Sequence, residues 1–90
     1  MTFTALLGYD NFGDLKEVFF QGPKAGSDAQ LVMLELGVAF SFALQHGCRV
    51  LEMRDNLPRH DDGTAEGPLG TLLDLIAKEE EADAQKELLR

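Results

Sequence analysis

Cysteine, tryptophan and positive charge are what these 90 residues have least of. Cys48 stands alone, so no internal disulfide can form, and no basic, apolar leader opens the chain; the expectation is a reducing, cytoplasmic setting. Eight Lys and Arg against sixteen Asp and Glu leave a formal net charge of -8. A phosphate backbone is held by a broad cationic surface, and Arg49, Arg54, Arg59 and His60, interrupted by Glu52 and Asp55, are too few to make one. Direct nucleic-acid binding is not expected. The apolar stretch from Leu31 to Leu44 falls short of the ~18 residues a membrane span needs and contains Glu35, so no membrane role is expected either.

The spacings that organise chemistry are missing as well. There is no Cys-x-x-Cys, no His-Glu-x-x-His and no calcium loop with acids at alternate positions. His60, Asp61, Asp62 and Glu66 are metal-binding types, but Asp61-Asp62-Gly63 is also what a solvated turn prefers. For Cys48 near His46 or His60 the sequence shows no oxyanion or orienting motif, and the cysteine reads as a small buried hydrophobe. Glu35 shares a helical stripe with Asp28 and His46 and reads as exposed. No catalytic residue, metal or cofactor is expected, and the chain is not expected to be an enzyme.

What is present is helical periodicity, divided by punctuation at Gly22-Pro23, Gly26, Gly47, Pro58, Gly63 and Gly67-Pro68. Residues 16–23, KEVFFQGP, resemble the recognition octet of picornaviral 3C proteases, Leu-Glu-Val-Leu-Phe-Gln-Gly-Pro, departing from it at Lys16 and Phe19. The same residues read as a native amphipathic helix from about Leu15 to Gln21. Asp14 and Glu17 resemble a capping box, Phe12, Leu15 and Phe19 share a face, and Gly22-Pro23 stops the helix.

The stretch SDAQLVMLELGVAFSFALQHG predicts the main element. Ser27 and Gln30 form a capping box, Asp28 suits the positive end of the helix dipole, and Gly47 ends about five turns. At 100° per residue this helix is apolar on two flanks, one with Val32, Met33, Leu36, Phe40, Ala43 and Leu44, the other with Leu31, Leu34, Val38 and Phe42. Gly37 and Ser41 form a small-residue stripe that lets a neighbouring backbone come close. Residues 48–54 read as a short helix, with a strand as the alternative. Pro68 opens a last helix with Leu69, Leu72, Leu73 and Ile76 on one face, followed by a solvated acidic extension over 77–90 whose Leu88 and Leu89 could dock elsewhere.

The expected fold is therefore all-α: one domain over 1–90 built round a long central helix, with 1–13 as an arm or short strand. The alternative is α+β, with a short N-terminal strand and a strand at 48–54. A chain this small has too few elements to cover both flanks of its long helix. The expected function is that of a small regulatory protein, an anti-activator or adaptor, that binds a protein partner and inhibits, sequesters or bridges it. The expected interface is Phe19, Phe20, Leu31, Leu34, Gly37, Val38, Ser41, Phe42, Leu72 and Ile76, with homodimerisation through the Gly37 and Ser41 stripe. Two alternatives are an acidic nucleic-acid mimic using the charges from Asp74 to Glu87, and a small-ligand binder or enzyme accessory subunit using His46, Cys48 and His60.

Overall fold

The computed structural model describes residues 3–22 and 24–88, so the helix-stop role read for Pro23 and the docking role read for Leu89 lie outside the described residues. The chain divides into two compact units, Met1–Cys48 and Arg49–Arg90. The fold is α+β, which corrects the all-helical expectation: strands β1 (Thr4–Tyr9) and β2 (Leu15–Gln21) precede helices α1 (Asp28–Gln45), α2 (Val50–Asp55) and α3 (Pro68–Leu88). Residues 50–55 are helical, so the strand that the alternative placed at 48–54 is not formed.

The segment expected as a helix over 15–21 is instead β2, paired antiparallel with β1 in a two-stranded sheet. A β-bulge explains the misreading. Gly8 pairs with Glu17 and Tyr9 with Leu15, which leaves Lys16 as an extra residue and brings both Leu15 and Val18 to the buried face. An apolar spacing of three imitates a helix where a regular strand would show two. Asp14 belongs to the hairpin turn and caps nothing: the Phe12 and Asp14 N–H groups both donate to Asp10 Oδ1 at 2.9 Å. Gly13, at φ 84°, donates its N–H to the Asp10 carbonyl at 3.1 Å and supplies the left-handed residue that this loop requires.

Helix α1 starts and stops on its own local chemistry. Gln30 N–H donates to Ser27 Oγ at 3.1 Å, while Gly26 N–H donates to Gln30 Oε1 at 2.6 Å. At the other end Gly47, at φ 95°, donates to the Leu44 carbonyl and Cys48 N–H reaches back to the Ala43 carbonyl, a Schellman closure.

The first unit is held by α1 lying against β2. Met33, Gly37, Phe40, Ser41 and Leu44 are buried on the helix, Leu15, Val18 and Phe20 on the strand, and the Phe3 ring meets Phe20 edge-on at 5.7 Å. Full burial of Phe20 alone stabilises by about 1.5–3 kcal/mol. The contact is closest at the small-residue stripe. Ser41 Oγ accepts from Val18 N–H at 2.9 Å and donates to the Val18 carbonyl at 3.1 Å, and a Cβ added at Gly37 would stand 2.9 Å from that carbonyl. The backbone that the stripe admits is thus that of β2 in the same chain, and the stripe is not open to a second copy as the sequence reading had it.

In the second unit α3 buries Leu69, Leu72, Leu73 and Ile76 at helical spacing. Past Ala77 the helix is exposed from Lys78 to Asp83. Between α2 and α3 the chain makes a small loop closed by a bridge between Arg59 and Ala65, and Ala65 lies against α3 closely enough that a Cβ at Gly70 would sit 3.0 Å from it.

Two substitutions test the α1–β2 contact. Ser41→Ala leaves a buried donor and acceptor of Val18 unpaired and is expected to cost about 1–3 kcal/mol in urea unfolding followed by circular dichroism. Gly37→Ala gains helix propensity of about 1 kcal/mol yet is expected to lose stability on balance, because the new methyl meets backbone. Unchanged unfolding midpoints in both variants would refute the contact.

Candidate interaction surface

The contact of Ser41 and Gly37 with β2 fixes the rotation of α1, and the sheet covers only one side. Facing away from β2 are Leu31, Val38 and Phe42, at 57%, 70% and 64% exposure, with Val32 at 63% beside them. Positions 31, 38 and 42 lie within a narrow stripe at 100° per residue, so the three side chains line up along about three turns. Leu34 is half-buried at its border. Glu35 and Asp28 are exposed along the same side, so the apolar stripe is edged with negative charge.

The C-terminal end of the stripe is shaped by His46. Its ring stacks on Phe42, with centroids 4.3 Å apart and planes 26° from parallel, and its Nδ1 lies 2.8 Å from the Phe42 carbonyl. Since a carbonyl only accepts, Nδ1 carries the proton there. The stack covers one face of the Phe42 ring and orients it, leaving the rest of the ring exposed.

Of the residues expected at an interface, Phe19, Leu31, Val38 and Phe42 are exposed and Leu34 is half-buried. Phe20, Gly37, Ser41, Leu72 and Ile76 are buried within the chain. Sequence reasoning missed Phe12, which projects from the hairpin turn at 90% exposure, and Leu6, paired across the strands with Phe19 on the outer face. The composition Asp-Asn-Phe-Gly-Asp over 10–14 was the available signal for the turn.

The second unit contains an open groove of about 950 Å³ whose lining includes Leu51, Arg54, Arg59, Thr71, Asp74 and Lys78. Its arginines are already engaged. Arg54 Nε donates to Asp74 Oδ1 at 2.7 Å, and Arg59 contacts both Asp74 oxygens at 2.7 and 3.0 Å while also donating to the Gly63 carbonyl. This clamps the 56–67 loop to α3. His60 and Glu66 approach at 3.4 Å, and among the described residues no group of three or more His, Cys, Asp or Glu side chains could hold a metal ion. No described helix is long and apolar enough to cross a membrane.

Comparison of the chain with protein-family models, curated proteins and solved structures finds no match.

The clamp has a pH signature. Hydrogen bonds from Arg59, then from Arg54, hold the Asp74 carboxyl well below its ordinary range. A depressed carboxylate contributes its stability in full above the unfolded-chain value of about 4 and loses it as pH falls from there toward the folded value. Asp74→Asn is expected to lower the melting temperature at pH 7 and to show a shallower further loss than wild type between about pH 4 and pH 2. Parallel acid limbs for the two proteins would show that the clamp does not contribute.

Proposed function

We propose that this chain acts by binding a protein partner on the outward stripe of α1, and that it regulates the partner by occupying or bridging it. The observation that carries this reading is the alignment of Leu31, Val38 and Phe42, each more than half exposed, on a helix whose opposite face supplies the core of its unit. Scattered apolar side chains on a surface are ordinary; large apolar side chains aligned along one helical stripe, interrupted by Glu35 and ending in a stacked Phe42–His46 pair, have the form of a helix-recognition surface. Large rigid rings such as Phe42 and His46 contribute contact area at low entropic cost.

The chemistry of the partner follows from the charge. Asp28 and Glu35 flank the stripe and the chain as a whole carries a net charge of -8, so the complementary surface is an apolar strip bordered by Lys or Arg. The apolar strip supplies most of the affinity and the charges mainly the rate of encounter.

The test uses the full chain, immobilised, against its native cell extract, followed by titration of any partner recovered. Val38→Ser with Phe42→Ser is expected to lose no more than about 2 kcal/mol of stability, since both side chains are exposed and the main loss is the stack on His46, and to weaken binding at least about 30-fold. Leu75→Ser, an exposed apolar site in the second unit, is the control and is expected to bind normally. Retention of the partner by the double variant would refute the reading. Binding that instead collapses with salt and depends on Glu79, Glu80 and Glu81 would assign the interaction to the acidic part of α3.

A further inference from the structure

The two edges of the small sheet are treated differently. Along β2, α1 closes the outward backbone groups at the centre of the strand: Ser41 Oγ takes both the N–H and the carbonyl of Val18, and Gln45 Nε2 donates to the Lys16 carbonyl at 3.3 Å. Because Val18 points these groups away from β1, its pairing with Leu7 is of the non-hydrogen-bonded kind, and so is that of Phe20 with Ala5. It follows that Ala5 and Leu7 turn their N–H and carbonyl groups outward, to the free edge of β1. Among the described residues no hydrogen bond outside the β1–β2 ladder involves either backbone.

That edge has few of the devices that keep strands apart. Thr4-Ala5-Leu6-Leu7-Gly8-Tyr9 carries no charge and no proline, although the chain around it is strongly acidic. The strand also complements itself. If a second copy runs antiparallel with Leu6 opposite Leu6, then Ala5 faces Leu7 of the second copy and Leu7 faces its Ala5, so the outward backbone groups of both strands meet as hydrogen-bonded pairs. Thr4 falls opposite Gly8 of the second copy. Leu6 pairs across the sheet with Phe19, and the two are 51% and 48% exposed on the outer face. The paired copies would set Phe19, Leu6, Leu6 and Phe19 in one row across four strands, the two leucines in the closer, non-hydrogen-bonded type of pair.

We infer that the free edge of β1 is a homodimerisation site, through which two copies form a continuous four-stranded antiparallel sheet about a two-fold axis at Leu6. The occupant is a second copy because one register satisfies both strands at once, aligns the apolar row and places no like charges opposite one another, as an isologous contact must. This site is separate from the α1 stripe, and either surface can fail without the other.

Sedimentation equilibrium of the full chain over a micromolar to millimolar range is expected to show a monomer–dimer equilibrium. Leu6→Lys and Leu6→Glu, at an exposed position, each place like charges face to face and are expected to raise the dissociation constant about tenfold or more; an equimolar mixture of the two is expected to restore association. In amide exchange, Ala5 and Leu7 are expected to gain protection as concentration rises, whereas Leu6, already bonded to β2, keeps the same protection throughout. A chain that stays monomeric throughout overturns the inference. So does a dimer that ignores both Leu6 variants, including one dissociated only by Val38→Ser with Phe42→Ser.

Discussion

The arrangement of the first unit depends on one hydroxyl. Ser41 satisfies the N–H and the carbonyl of Val18 together, which draws α1 to within backbone distance of β2 at a place where Gly37 offers no side chain to obstruct it. A two-stranded hairpin is marginal in water without something to pack on. Here the helix supplies both the apolar cover, through Met33, Phe40 and Leu44, and the polar partner for a strand edge that would otherwise be buried unpaired. The same contact fixes the rotation of α1, and so decides which of its two apolar flanks faces outward.

Two surfaces follow from this single choice. Closing the β2 edge leaves β1 as the open edge of the sheet, and turning Met33, Phe40 and Leu44 inward leaves Leu31, Val38 and Phe42 outside. Neither surface needs a catalytic group. The second unit is organised differently: Asp74 receives hydrogen bonds from Arg54 and Arg59, so the cations grouped near the middle of the sequence hold a loop to its helix.

Legibility in the sequence followed the range of the interactions involved. The limits of α1 could be read because Ser27, Gln30 and Gly47 act within a few residues of where they stand. The apolar row of α3 could be read because Leu69, Leu72, Leu73 and Ile76 repeat at the helical period. Strand β2 was misread because the bulge at Lys16 changes the spacing of Leu15 and Val18 from two to three, and adjacent Phe19 and Phe20 offer no clean alternation. Of the residues expected at an interface, the outward flank of α1 could be listed but not separated from the inward stripe of Gly37 and Ser41. Small residues announce a close approach without naming what approaches.

By itself, then, the sequence determined the extent of α1 and α3, the excess of negative charge and the surplus of apolar helical surface, since all of these are sums over local residue properties. Tertiary structure decided that residues 15–21 are a strand, that Ser41 bonds to a partner 23 positions away and that Leu31, Val38 and Phe42 are the flank left in water. The physical reason is that strand pairing and helix rotation are set by contacts between distant segments, whose free energy outweighs the small differences in local propensity that a linear reading can weigh.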